Sequence, residues 1–596
     1  MTAVFAPTPK LHTGMSCTDK KWIITRQLAL MCCEDLSPFD IVQKSGFVKF
    51  LVQNNVIKHE AELPDPTTIS RSGLYTVYDE IILVVKNVIK QSPKTVGVTT
   101  DMWTDNYKRR SYMAVTLHFC LPDFRMQSMV LRTVVFTQTH TGENIAKALK
   151  EILKQFGLDN RNVIYITDQG SNIVKACRVV GSERFGCAAH GLHNLISVEG
   201  VAKGPDVQNI ICKAKSIIKT FSFKTSLLEK EAADMVNEQI VADLELLLEQ
   251  MDEDHQISIS SCDSDNEDDI GEQLLDHDGS NSSSFSTMRA AAAAGSPHQQ
   301  YTTSLKKDCP TRWNCLLSML ESLLINQQLI ERCLTKLRLF DKMCTDDEWQ
   351  TITNLVQFLK IFKTATEALS GSKYPTISLV LLFRAEIVAA IADLVSDCEM
   401  VRSMKQRMRQ ALNHRLPITE LNVIAAMLDP SQRHLNSVQE FLTAQKITAV
   451  ELLSHAFDKY VGTETELDLH QAGQHMASVE NPGPSTIPWK KAKQDLLSKH
   501  INATSNPDRE IQQYRCLSIA PDDVLAWWCT QQETYPRLSM LARVILALPA
   551  TSAPSERIFS TAGLTVNAKR SSLAPSAVDK IVFVHENSHL IKERTD

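Results

Sequence analysis

From Val96 to Phe136 the apolar residues fall mostly on alternate positions, whereas on either side of that stretch they recur three or four residues apart. A period of two is the signature of strands with one face turned inward. It predicts strands over Val96–Thr100, Tyr112–Phe119 and Met129–Phe136. Polar turns at Asn106–Arg110 and Leu121–Phe124 join them, and turns this short make an antiparallel meander. The period then lengthens. Ile145, Leu149, Ile152, Leu153 and Phe156 form a helical stripe that starts at Thr141 or Gly142 and stops at Gly157. Val163–Ile166 is a fourth strand running into Thr167-Asp168-Gln169-Gly170. Ser171 opens a helix that reaches Val180, and Phe185–His190 reads as a short fifth strand.

Outside this centre the pattern is helical. Residues 19–92 form a helical N-terminal region, with Ser70 placed to cap a helix over 71–91 whose stripe is Leu74, Val77, Tyr78, Ile81, Ile82 and Val85. The strand-bearing part spans 95–200. Residues 201–520 read as an all-helical segment, with helices expected over 225–251, 315–340, 346–370, 378–413 and 438–460. Within it, 252–302 and 462–495 are expected to be disordered: the first joins an acidic run to Ser-rich and Ala-rich stretches, and the second is polar and carries Asn481-Pro-Gly-Pro-Ser485. Residues 521–592 return to helices, the third of them capped by Ser552 with Pro554 and Glu556 in its first turn.

The element order β-β-β-α-β-α-β mixes a meander with a parallel crossover, the pattern of an α/β RNase H-like core on a mixed five-stranded sheet. In such a sheet the first and fourth strands are neighbours. An acid at the end of each then reaches one site, where hard carboxylate oxygens suit Mg²⁺ and phosphodiester chemistry. The residues alone leave alternatives open. A single Asp after an apolar strand is commonly a turn or cap residue. Asp101 and Asp105 flank the same Trp103, and spacing does not choose between them. Glu556 in a first helical turn also suits the helix dipole.

Composition modifies this picture in two places. The chain has 596 residues, too many for one core. Its net charge of −6 argues against nucleic acid until its distribution is read. Residues 251–278 hold eleven Asp or Glu and no Lys or Arg, so the rest of the chain carries +5, a balance compatible with DNA. Fifteen scattered cysteines point to a reduced compartment. No signal peptide and no apolar run of about 18 residues appears, so no membrane span is expected. No C-x2-C followed by H-x3–5-H is present, so no zinc finger and no evident zinc site are expected in this chain.

Several segments resemble the hAT superfamily of transposases, in its vertebrate branch that carries BED-type zinc fingers. They are Val98-Thr-Thr-Asp-Met-Trp-Thr-Asp105, Ile166-Thr-Asp-Gln-Gly-Ser-Asn172, Cys187-Ala-Ala-His190-Gly-Leu-His-Asn194, Pro310-Thr-Arg-Trp313-Asn and Ile424-Ala-Ala-Met-Leu-Asp-Pro430. The longest is Leu548-Pro-Ala-Thr-Ser-Ala-Pro-Ser-Glu556-Arg-Ile-Phe-Ser560-Thr-Ala-Gly563. The resemblance runs over roughly 20–590, in family order. It implies an RNase H-like catalytic core interrupted by the large all-α insertion and completed by a C-terminal hAT dimerisation block. It places Asp101, Asp168 and Glu556 on the family's acidic triad, holding Mg²⁺ or Mn²⁺, and so favours Asp101 over Asp105. It places Cys187 and His190 on the C-x2-H motif beside the active site, grouped with the DNA contacts. Trp313, with Arg312 beside it, falls on a residue that stacks on a base near the cleaved end.

Two departures stand out. The family's BED finger is absent, which removes terminus-specific DNA binding from what is carried over. After Asp429-Pro430 this chain has Ser-Gln-Arg-His, where relatives usually have an Arg-aromatic-Lys run. The expectation is a nuclear, DNA-binding homodimer or higher homo-oligomer of hAT transposase type, a Mg²⁺-dependent strand transferase. The alternative is a domesticated transcription or chromatin regulator with an inert site.

Overall fold

The structure is a computed structural model that describes residues 17–105, 108–259, 304–309, 313–395, 397–462, 507–566 and 573–592. The chain divides into two compact units. One comprises residues 1–194, 364–389 and 411–596; the other comprises 195–363 and 390–410.

The first unit holds the sheet. Helices α1 (Cys17–Glu34) and α2 (Leu74–Ile89) precede strands β1 (Thr95–Thr104), β2 (Ser111–Cys120) and β3 (Met126–Phe136). Helix α3 (Gly142–Gln155), β4 (Asn162–Thr167), α4 (Ser171–Val180), β5 (Arg184–Gly186) and α5 (Ala188–Asn194) follow. Far along the chain come α6 (Ala553–Thr565) and α7 (Pro575–Asn587). The strand order is β3-β2-β1-β4-β5. β1 pairs antiparallel with β2 and parallel with β4, and β4 pairs parallel with β5. The mixed five-stranded sheet expected from periodicity is therefore present.

Alternation sorts the side chains. Val96 and Val98, Met113 and Val115, and Val163 and Tyr165 point into one core with α1, α2, α3 and α4. Tyr112, Ala114 and Val130 point to the other face, where Ile558 and Ala562 of α6 and Val578 and Val582 of α7 meet them. Gly97 lies on this second face. A Cβ there would come within 2.8 Å of the Leu548 side chain, so glycine lets the chain before α6 lie flat on β1.

β3 is one of the two edge strands, and its register slips between Val115 and Thr116 of its partner. Helix α7 satisfies the edge. Asp579 accepts from the Thr133 backbone N–H (2.7 Å) and from Arg132 Nε (2.8 Å), while Asn587 donates to the Val130 carbonyl at 2.9 Å. This is an edge blunted by a covering helix. Residues 427–433 serve a similar purpose for the C-terminal segment. The Met427 and Leu428 carbonyls accept from Tyr514 Oη and Trp528 Nε1, and the Arg433 guanidinium lies 5.5 Å from the Tyr514 ring centre. That gives the unusual Ser-Gln-Arg-His run a structural role, because Arg433 is buried there.

The regular structure described in the second unit is helical, including Pro205–Phe221, Thr225–Ile259, Trp313–Ile325 and Gln327–Lys336. The buried Glu231 carboxylate is satisfied there by Arg332 and Lys336.

Several local expectations are corrected. The helical run before the sheet is capped by Asp65, which accepts from the Thr67 N–H, and not by Ser70. The helix expected over 315–340 breaks at Asn326, and that over 378–413 is two helices, Leu379–Ala390 and Glu399–Arg415. The all-helical stretch expected over 201–520 is shared between the two units. Helix Thr225–Ile259 carries into the acidic stretch; the rest of 252–302, and 462–495 apart from Gly462, lie outside the described residues. Among the described residues no helix is long and apolar enough to cross a membrane.

Because Asp579 is the acceptor for the buried Thr133 N–H and shares Arg132 with Gln155, Asp579→Ala should lower unfolding free energy by about 3 kcal/mol. Denaturant unfolding checks this; a loss below about 0.5 kcal/mol would show that the edge does not depend on α7.

Candidate functional site

Five parallel rungs, Thr95–Asn162 through Thr99–Ile166, hold β1 and β4 level. Asp101 and Asp168 each lie two residues beyond the last rung. Period-two alternation puts both on the face of Thr99 and Ile166, the face that α6 covers. Glu556 sits in the first turn of α6. Three acids from distant parts of the chain thus converge, and their electrostatics record it. Burial pushes the Asp101 carboxyl up to about 6; the Met102 N–H and the His190 charge oppose the rise, and the charges of Asp168 and Glu556 add to it. Asp101 Oδ1 accepts from Met102 N at 2.7 Å, and Asp168 Oδ1 from Gly170 N at 3.1 Å. A Cβ on Gly170 would lie 3.2 Å from Asp168 Oδ1, so glycine admits this close turn.

Asp105 has a different task. It is fully buried, and its carboxylate accepts from the backbone N–H of Lys108 (2.6 Å) and Arg110 (3.0 Å), which holds the turn between β1 and β2. Trp103 stacks on Phe559 of α6, with centroids 6.0 Å apart. Both residues support the site from outside it.

The placement of α6 rests on a buried polar relay. Ser555 Oγ donates to Thr99 Oγ1 at 2.9 Å, and Thr99 Oγ1 lies 2.9 Å from His118 Nε2. All three residues are buried. Burial, aided by the Arg557 charge, lowers the His118 pKa to about 3, so the ring is neutral. Periodicity marks Thr99 and His118 only as strand positions, and Ser555, the residue before Glu556, carries no signal of its own.

The short strand expected over Phe185–His190 ends at Gly186. Cys187 N still donates to the Thr167 carbonyl (2.8 Å), but Ala188 N donates to the Ala550 carbonyl (3.0 Å) and α5 begins. His190 is therefore on a helix, facing Glu556 with Nδ1 3.9 Å from Oε1. Its contact with Cys187, joined by the charges of Glu556 and Asp101, outweighs desolvation and raises its pKa to about 10, so it is a cation at neutral pH. Ser552 occupies the N-cap position of α6 without capping it. Its Oγ instead lies 3.5 Å from both His190 Nδ1 and Glu556 Oε1, and its N–H donates to Cys187 Sγ at 3.2 Å.

Trp313 belongs to the second unit and is 4% exposed, opening helix Trp313–Ile325. In this conformation its side chain is buried. Arg312 lies outside the described residues.

Residues 508–588 match the hAT family C-terminal dimerisation region, and residues 99–185 match the ZBED1 RNase-like domain. The chain is 23% identical to the Hobo transposase of Drosophila melanogaster over 575 residues, covering 88% of this chain and 76% of that protein. It is 22% identical to zinc finger BED domain-containing protein 4 of Homo sapiens, over 95% of this chain and 44% of that protein. It is also 22% identical to the putative AC transposase of Zea mays, over 91% of this chain and 62% of that protein. The chain thus spans less than two thirds of the latter two relatives.

The buried, neutral His118 has a pH consequence. Its folded pKa of about 3 lies below the ordinary 6.5, so between those values the unfolded chain takes a proton that the folded chain refuses. This contribution is whole above pH 6.5 and is lost as pH falls toward 3. Unfolding free energy measured against pH should fall through that window less steeply in His118→Asn than in the parent, by about one proton in slope; equal slopes would refute the assignment.

Proposed function

We propose that this chain, which carries a hAT dimerisation region and a ZBED1 RNase-like domain, is a DDE-type DNA strand transferase built on an RNase H-like core and working as a nuclear homodimer. The observation that carries the reading is the convergence of Asp101, Asp168 and Glu556 on one face at the ends of β1 and β4. Similarity to proteins named as transposases supports it.

The donor set fits a hard divalent cation. It consists of carboxylate oxygens, each partly exposed, and their combined negative charge helps raise the Asp101 pKa to about 6. Asp101, Asp168 and Glu556 would hold Mg²⁺ or Mn²⁺; bound there, such an ion supplies polarisation of a phosphodiester and a stronger oxygen nucleophile at neutral pH.

The chain's other residues perform the remaining tasks. The Arg184 guanidinium holds the end of β4 through Thr167 Oγ1 (2.8 Å) and the Asp168 carbonyl, keeping Asp168 level with Asp101. Ser555 and Thr99 fix the helix that delivers Glu556. The protonated, half-exposed His190 offers a cation to a phosphate oxygen of the substrate. Trp313, buried in this conformation, would meet a base only after a rearrangement that exposes it.

Asp101→Asn, Asp168→Asn and Glu556→Gln should each reduce Mg²⁺-dependent nicking of duplex DNA bearing transposon-type ends by about a thousandfold or more. A parent that nicks no better than the triple variant would overturn the reading and leave the inert regulator. Sedimentation of the full chain should give a dimer; a monomer at every concentration would remove the homodimer from the proposal.

A further inference from the structure

We propose that Cys187, His190 and Glu556 form a site for a borderline-soft divalent cation of the zinc kind, which shares one carboxylate with the acidic triad. Cys187 Sγ, a His190 ring nitrogen and a Glu556 carboxylate oxygen all lie within 4.8 Å of one another. Zinc–ligand bonds of about 2.0–2.3 Å put tetrahedral neighbours roughly 3.3–3.8 Å apart, so side-chain shifts of about an ångström close the set.

The surroundings suit such an ion. Cys187 and His190 sit three apart at the start of α5, on one side of its first turn. The Ser552 N–H donates to Cys187 Sγ at 3.2 Å, the kind of outer hydrogen bond that orients a thiolate ligand. Ser552 Oγ lies 3.5 Å from both His190 Nδ1 and Glu556 Oε1 and forms a polar floor between them. The His190 and Glu556 side chains are 32% and 36% exposed, so an ion and a water reach the site from solvent. Three protein ligands and an open fourth position describe an exchangeable site rather than a closed structural one.

The sequence displays only the Cys-x2-His half. Its third ligand lies hundreds of residues away and comes into range through the Ala188–Ala550 and Ser552–Cys187 hydrogen bonds. The two donor sets differ in chemistry. Asp101, Asp168 and Glu556 offer oxygen alone, whereas Cys187, His190 and Glu556 offer sulfur, nitrogen and oxygen, a set that discriminates against Mg²⁺ and for zinc. Zinc bound here takes the Glu556 carboxylate and displaces the His190 proton, with any on Cys187, to solvent. Resting on the reading of Glu556 as part of the catalytic triad, zinc is then an inhibitor of strand cleavage.

The test is zinc binding by the purified full chain, read by competition with a chromophoric chelator, with Co²⁺ absorption as a direct report of thiolate ligation. One zinc per chain is expected at this site. Cys187→Ser, His190→Ala and Glu556→Gln should weaken it by on the order of a hundredfold, and Cys187→Ser should abolish the thiolate–cobalt band. Asp168→Asn should bind zinc as the parent does while losing Mg²⁺-dependent cleavage, which separates this site from the triad. Circular dichroism of each variant checks that it folds. A parent that binds no zinc, or zinc and a cobalt band unchanged in a folded Cys187→Ser protein, overturns the proposal whether or not the chain cleaves DNA. If zinc binds as described but no variant or parent cleaves, the site stands and the strand-transferase reading falls.

Discussion

Five rungs of parallel ladder between β1 and β4 set the geometry on which everything else depends. Parallel pairing keeps two chain ends level and pointing the same way, which antiparallel pairing does not do. Asp101 and Asp168, each two residues past Ile166 or Thr99, then emerge on one face. Both strands are buried along those rungs, as a parallel ladder between helical layers requires. A one-residue slip of either strand would send its acid to the opposite face, into the apolar core of α2 and α3. The core that fills that face therefore guards the register.

Bringing three acids together has a cost, and the structure distributes it. Burial and mutual repulsion hold Asp101 partly protonated near pH 6. His190, held cationic by Cys187 and the acids, sets one positive charge against theirs. The helix that carries Glu556 contributes the positive end of its dipole, because Glu556 lies in its first turn. What keeps that helix in place is not charge. It is the buried Ser555–Thr99–His118 relay, the flat approach of Leu548 to Gly97, and the Trp103–Phe559 stack. Rigid apolar and neutral polar contacts thus position groups whose own interactions are unfavourable, as expected where polar function is built on a packed scaffold.

Much of the sheet was legible because its signals are local. Alternation marked the meander, a helical stripe ending at Gly157 marked α3, and Thr141 does cap that helix. Periodicity could not separate Asp101 from Asp105, because both follow the same strand; the resemblance favoured Asp101, and in the structure Asp105 is occupied by loop hydrogen bonds. Residues 187–190 misled for a related reason. A run such as Phe185-Gly-Cys-Ala-Ala-His190 is apolar enough for a strand, and its turn into a helix is set by the Ala550 carbonyl, which local sequence does not contain. Ser552 was read as a cap from its position, yet its hydroxyl is drawn to His190 and Glu556 instead. In these last two cases the missing information was a partner more than three hundred residues away.

The C-terminal block carries the same lesson into assembly. Its apolar residues are already used within its own unit. Val578, Val582 and Phe583 pack on the sheet and on α2, Asp579 and Asn587 satisfy the edge strand, and Trp528 hangs from the Leu428 carbonyl. A segment similar to a dimerisation region is here also the closing layer of the fold. Faces that seal a core cannot be offered to a second copy without exposing that core to water, at roughly 25 cal/mol for each Å² uncovered. A dimer contact through this block would then use the outward sides of these helices, and a change that loosens the block acts on Glu556 as well, because α6 and α7 are packed on each other and on one sheet.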